Sequence, residues 1–223
     1  PASLSQLLDV AEEGEAATQP CDADCTAYGA SGASVCFMRA SVSMARTDKG
    51  LSTAPCWAAM RPQDVVLYNI GLHMNDPVSH RVKMGFFARF WRRSVEERSR
   101  EELPTLIWRE TGTQHFADSA TGEFVGKQDP EVPCAEVSLE RQSMGNWRNN
   151  EDVTRELVDA GVPILRVWNL TTLRVDHHRV GDDGKGGADC SHYCAIRGGV
   201  LDIFSQVFYN FLAATPLNPR PNV

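Results

Sequence analysis

Asp189 and His192 stand three residues apart in the stretch GGADCSHYCAIRG, residues 186–198, between Cys190 and Cys194. A carboxylate beside an imidazole is the acid–base half of a nucleophilic hydrolase. The acid holds the ring in one tautomer and stabilises the imidazolium formed when the ring takes a proton from a serine hydroxyl. By spacing alone the stretch also fits a disulfide-pinned loop with unrelated polar side chains. A metal centre would have to draw on His73, His115, His177, His178, Asp189 and His192. Zinc sites usually announce themselves by local pairs such as H-x-x-x-H, and the adjacent His177 and His178 cannot readily share one face of a strand. Neither a metal nor an organic cofactor is expected.

The seven cysteines are many for a reducing compartment, where disulfides rarely persist. Together with the sequon Asn169-Leu170-Thr171 they favour the secretory pathway, the Golgi lumen or the extracellular side. The odd count leaves one thiol free or bonded outside the chain. A net charge of −7 and a pI near 5.4 argue against nucleic acid as a partner, because phosphate recognition needs a basic footprint. No apolar run approaches the roughly 20 residues that span a bilayer, so a membrane anchor is expected only in a segment outside this sequence. The chain starts at Pro1 rather than Met, and a fragment or processed form is expected.

An acid–base pair needs a frame, and three short, apolar, β-branched segments read as buried parallel strands: 64–71 (DVVLYNIG), 105–111 (TLIWRET) and 163–170 (PILRVWNL). A fourth candidate strand is 34–42 (SVCFMRASV). Between the first two strands Val82, Phe86 and Phe90 recur at helical spacing, with Phe87 and Trp91 widening the stripe, which predicts a crossover helix. Further helices are predicted from Asn150 to Ala160, before Gly161 and Pro163, and from Val200 to Ala213, before Pro216. Alternating strand and helix is the rhythm of an open α/β sheet. The length suits one domain over residues 1–223. Residues 19–32, 112–149 and 176–199 read as long loops, which in compact domains are usually functional.

Ligands of open parallel sheets sit at the carboxyl ends of the strands. The residues there are Asn69, Gly71 and His73, then Arg109, Glu110, Gln114 and His115, and the loop carrying Asp189. Plainer roles stand beside the functional ones. Asn69 suits a strand-ending turn, Arg109 and Glu110 suit an ion pair, buried or at the surface, and His115 suits a cap on a carbonyl. The arginines from Arg81 to Arg100 are interspersed with glutamates and read as a solvated helix face.

The flanking residues add a family likeness. DCSHYC resembles the D-C-S-H-W-C motif of the PC-esterase family, which includes the trichome-birefringence-like polysaccharide O-acetyltransferases of the SGNH/GDSL hydrolase superfamily. DVVLYNIGLHMND is similar to that family's strand ending in N-x-G-[LH]-[HW], TLIWRETGTQHF to its W-R-E-T-x-x-Q-H-F or F-R-T-x-S-P-x-H-F block, and RVDHHRVGDDGKGGADCSHYC to its R-x-D-x-H run into the last motif. The four blocks fall in order within residues 60–212.

The resemblance implies a three-layer α/β fold of SGNH type, with flavodoxin-like strand order and the first strand missing. It implies that Asp189 and His192 serve a serine through which acyl groups pass as an ester. The family's G-D-S turn is absent from this chain. By position, Ser3 in PASLSQLL would be the nucleophile, although Pro1 and Ala2 replace the glycine that permits the tight turn and the aspartate that orders it. An incomplete amino end is therefore expected. The superfamily's G-x-N-D block implies oxyanion donors from GLHMND, with Gly71 matching and His73 where asparagine would stand; Asn69 is a further donor candidate. Arg109 and His115 would line the pocket. The family pairing implies a Cys134–Cys190 disulfide, with Cys194 joined to Cys21, Cys25, Cys36 or Cys56, or to a cysteine outside this sequence. The implied activity is an acyl esterase or O-acetyltransferase, with a glycan or glycoconjugate substrate and an acyl donor as partners. The alternative is a glycan-binding or scaffold member that keeps the fold and lacks the nucleophile.

Overall fold

The computed structural model describes residues 23–28, 33–38, 60–72, 74, 76–124, 132–180 and 188–214. Ser3 and His73 lie outside the described residues, as do Cys21 and Cys56. An open three-stranded parallel sheet forms the frame, in the order β3 (Val65–Tyr68), β4 (Thr105–Arg109), β5 (Ile164–Leu165). All five positions of β4 are buried, which is why its sequence is apolar without alternation. Two-residue periodicity splits its side chains between two cores. Leu106 and Trp108 pack with Met84, Phe87, Trp91, Val153 and Leu157, whereas Ile107 packs with Leu165, Val167, Val200 and Phe204.

The first core is closed by α1 (Pro77–Arg98) and α3 (Glu151–Asp159), the second by α5 (Val200–Ala214). The α/β class expected from the strand–helix rhythm is thus present, with helices on both faces of the sheet. α1 starts where Asp76 accepts hydrogen bonds from the amides of Val78 and Ser79, with Pro77 in the first turn. α3 starts where the Asn150 side chain accepts from the Val153 amide; past its end Gly161 adopts φ +76°.

Five expectations need correction. The stripe of α1 is turned relative to the one expected: Val82 is exposed, while Met84, Phe87, Ala88, Phe90 and Trp91 are buried. The third strand stops at Leu165 instead of Leu170, because the Glu110 carboxylate accepts the amides of Val167 and Trp168 and turns the chain into a short helix, α4 (Trp168–Thr171). The candidate strand at 34–42 is β2 (Ala33–Met38), which pairs antiparallel with β1 (Ala23–Tyr28) in a separate two-stranded sheet. The expected loop 176–199 contains an antiparallel pair, β6 (His178–Val180) with β7 (Ala188–Tyr193). The stretch expected to be loop at 112–149 contains a helix, α2 (Leu139–Gly145). Among the described residues, no helix is long and apolar enough to cross a membrane.

His80 of α1 is fully buried, edge-on to Trp147 at 5.4 Å, and neither ring nitrogen has a hydrogen-bond partner among the described residues. Burial, with the nearby charges of Arg148 and Lys83, pushes its pKa down to about 4. An unfolded histidine titrates near pH 6.5, at roughly its unperturbed value. The neutral form therefore favours the fold fully above that pH, and this contribution is lost as pH falls toward 4. Urea unfolding followed by tryptophan fluorescence should show stability declining over that window. His80→Leu should reduce the slope by about 1.4 kcal/mol per pH unit; an unchanged slope would contradict the assignment.

Candidate active site

β7 is the element that presents the acid–base pair. Tyr193 pairs with His178 and Asp189 with Arg179, so Cys190, Ser191 and His192 bulge from the ladder between them. A bulge bends its strand and re-aims its side chains. Inside it, Asp189 Oδ1 accepts the amides of Ser191 and His192, each at 3.0 Å, and Oδ2 lies 2.7 Å from His192 Nδ1. Partial burial raises the carboxyl pKa, but the hydrogen bonds from the His192 ring and amide and the His192 charge outweigh it, and Asp189 is held below the ordinary carboxylate range. A carboxylate accepting at Oδ2 fixes Nδ1 of His192 as the donor nitrogen, which puts the ring's lone pair on Nε2.

The bulge is tied to the segment that follows β4. The Cys134–Cys190 disulfide is present, with Cα atoms 5.3 Å apart. The His115 amide donates to Cys190 O at 3.1 Å, the Ala135 amide donates to His115 O at 3.1 Å, and Gln114 Nε2 donates to Ser191 Oγ at 2.6 Å. Gln114 is held from the other end by the Phe124 amide, which donates to its Oε1 at 3.0 Å. Among the described residues Cys194 has no disulfide partner, and its Sγ donates to His178 O at 3.4 Å; Cys21 and Cys56, two of its expected partners, lie outside them.

Asn69 and Gly71 build the turn after β3. Asn69 Nδ2 donates to Arg109 O at 2.7 Å and to Thr111 Oγ1 at 3.0 Å, while its Oδ1 accepts the Gly71 amide. These bonds are structural. The turn approaches the next strand so closely that a Cβ on Gly71 would lie 1.6 Å from Thr111 Oγ1. Arg148 holds the same turn from the far side: its guanidinium donates to Gly71 O and Met74 O and pairs with Glu123.

Arg109 and Glu110 do not pair. Glu110 accepts from Arg166 Nη1 at 2.7 Å and from the Val167 and Trp168 amides. Arg109 lies over the ring of Phe204 at 5.4 Å, and burial lowers its pKa to about 10, so it stays charged at neutral pH. It lines a shallow cleft of about 320 Å³, part of it open solvent, together with Leu72, Gly112, Ser191, His192, Tyr193, Leu201 and Phe204.

His115 sits beneath the bulge rather than in the cleft. Its Nε2 donates to Thr172 O at 3.0 Å, and its Nδ1 meets His178 Nε2 at 2.7 Å; His178 Nδ1 donates to His192 O at 3.0 Å. Burial lowers both pKa values, that of His178 to about 4. His178 also stacks on Tyr193, whose hydroxyl donates to Thr113 O at 2.6 Å. His177 instead anchors the start of α5, accepting the Val200 amide at Nδ1. Among the described residues no group of three or more His, Cys, Asp or Glu side chains could hold a metal ion.

The structure thus brings His192, Arg109 and Gly112 to one cleft, with Asp189 bonded to the His192 ring and Gln114, His115 and His178 as supports. Sequence reasoning missed Arg148, Asn149 and Tyr193. Asn149 accepts the Thr111 amide at 2.8 Å and donates to Thr111 O at 2.9 Å. The stretch NWRNN gives little sign of this, because the main-chain atoms it bonds, in Thr111 and Gly71, lie more than 30 residues away. Tyr193 was legible only as a member of DCSHYC. Compared with family models, curated proteins and solved structures, the chain finds no match.

Gly71→Ala should destabilise the fold by roughly 1–3 kcal/mol, the usual range for overpacking, and urea titration would check it. Replacing Cys134 and Cys190 together by Ala removes the closure of a 56-residue separation and should lower stability by roughly 2–4 kcal/mol. Stability unchanged in this double variant would show that the bulge is held by its hydrogen bonds alone.

Proposed function

We propose that this chain carries the acid–base half of a serine-dependent acyl esterase or O-acetyltransferase of SGNH type, related to the PC-esterase and trichome-birefringence-like enzymes. Its substrate on this reading is an O-acylated glycan or glycoconjugate in the secretory pathway. The observation that carries the reading is the 2.7 Å contact of Asp189 Oδ2 with His192 Nδ1 in a bulge beside the cleft. The Cys134–Cys190 bond supports an oxidising compartment.

His192 Nε2 takes the serine proton as the serine Oγ attacks the ester carbonyl carbon. Asp189 stabilises the imidazolium so formed and remains ionised, as its lowered pKa favours. The tetrahedral adduct collapses, the carbon–oxygen bond to the glycan breaks, and the departing oxygen takes the proton from Nε2. Water or a sugar hydroxyl then attacks the acyl-serine by the same steps, which gives hydrolysis or transfer respectively. The serine comes from outside the described residues, and Ser3 is the position that the family likeness nominates.

The test is hydrolysis of an aryl acetate by the full-length protein. His192→Ala should lower kcat/KM by at least about 10³-fold, and Asp189→Asn by a comparable factor through loss of the tautomer. Ser3→Ala should abolish the burst of acyl-enzyme if Ser3 is the nucleophile. Activity unchanged in His192→Ala would remove the imidazole from its role. Absence of turnover in the wild type, with retained glycan binding, would favour the scaffold alternative.

A further inference from the structure

The segment from Arg109 to His115 is polar and almost entirely buried, with Arg109 itself 4% exposed. Most of its polar groups are satisfied within the protein. Glu110 accepts from Arg166 and two amides, Thr111 bonds Asn69 and Asn149, the Thr113 amide donates to Thr171 Oγ1, Gln114 bonds Ser191 and Phe124, and His115 bonds Thr172 and His178. The Arg109 guanidinium is the exception. Among the described residues it has no carboxylate partner, and its engagement is with the face of Phe204 and a weak attraction to the Tyr193 oxygen. That hydroxyl donates its proton to Thr113 O and remains neutral, since burial raises its pKa.

A buried cation without a counter-charge is strongly disfavoured, and arginine does not relieve the penalty by releasing its proton at neutral pH. The nearby opposite charge is already committed, because the Glu110 carboxylate faces Arg166 and the start of α4. Arg109 lines the same cleft as Ser191 and His192, between the apolar side chains of Leu72, Leu201 and Phe204. The planar fork of guanidinium N–H groups matches the two oxygens of a carboxylate. A transient oxyanion would complement this charge only at the moment of reaction. A permanent anion complements it from the moment of binding.

We propose that Arg109 is a carboxylate subsite: the substrate carries, near its acylated hydroxyl, the carboxylate of an acidic sugar, which docks on this guanidinium. The inference deepens the function proposed above and rests on it. It predicts discrimination by charge. An acidic sugar is bound more tightly than its neutral counterpart, which carries a hydroxymethyl group in place of the carboxylate.

Isothermal titration of the full-length protein with D-glucuronate and with D-glucose reads the subsite without any turnover. Glucuronate should bind measurably and glucose at least roughly tenfold more weakly. Arg109→Met should abolish the difference, since a charge-assisted contact is of about that size. Arg109→Met should also melt no lower than the wild type when no ligand is present, because it removes an unpaired buried charge. Equal binding of the two sugars by the wild type, undiminished glucuronate binding by Arg109→Met, or a melting temperature several degrees lower in that variant would each overturn the proposal. The last would reveal an internal partner for the guanidinium. Failure of the catalytic reading is seen separately, as aryl acetate hydrolysis insensitive to His192→Ala, and equilibrium binding by His192→Ala tests the subsite whatever that outcome.

Discussion

The Asp189 carboxylate governs the geometry of the cleft because three N–H groups converge on its two oxygens. Two of them are backbone amides of the following residues, so the carboxylate shapes the bulge that carries His192 as well as orienting the ring. Shape and orientation cannot be separated in this arrangement. A neutral asparagine could still accept the amides while presenting the wrong group to the imidazole, whereas an alanine would release the turn. Each charge-assisted bond to the carboxylate is stronger than a neutral one, and together they hold it ionised at half burial.

The bulge is coupled to the sheet through its neighbours rather than through its own strand pairing. The disulfide, the bond between the His115 amide and Cys190 O, and the Gln114–Ser191 bond all run to the segment following β4 or to its loop. The two histidines beneath add a further constraint. His115 Nε2 and His178 Nδ1 both face carbonyl oxygens and so both donate, yet a third contact joins the remaining nitrogens at 2.7 Å. Two neutral rings bring two protons to three contacts. A third proton would complete the chain and would also place a cation in a buried site, within the influence of Asp176, Glu136 and Asp189 but against His192. This balance makes the underside of the bulge sensitive to acid, and its last bond ends on the backbone of His192.

Much of the frame was legible in the sequence. Apolar runs at strand length gave β3 and β4 and the start of β5, and capping residues such as Asn150 placed α3 to within a residue. The errors have physical sources. Of the expected stripe Phe87, Phe90 and Trp91 do pack against Leu106 and Trp108, but the face is set by the sheet, so Val82 is left exposed and Met84 is buried in the same core. PILRVWNL has strand composition throughout. It breaks after Leu165 because a carboxylate 57 positions earlier captures the Val167 amide, and no local pattern reports such a contact. For the site, the spacing of Asp189 and His192 left a plain polar loop open, and it was the family likeness that singled out the pair and implied the Cys134–Cys190 bond. Arg148 and Asn149, which bond distant main-chain atoms, left no such trace.

The fate of Arg109 and Glu110 shows why adjacency in sequence is a poor guide to pairing at the end of a strand. Successive side chains of a pleated strand point to opposite faces, so neighbouring opposite charges are directed apart. Arg109 shares the face of Ile107 and reaches Phe204 of α5. Glu110, one residue beyond β4, caps the turn after β5 and meets Arg166. The polar run at 109–115 therefore forms a buried floor rather than an exposed loop, and most of its polar groups are secured by partners from elsewhere in the chain. A floor so fully bonded is rigid, and rigidity is what allows a cleft to hold one cation in a fixed place beside an oriented imidazole.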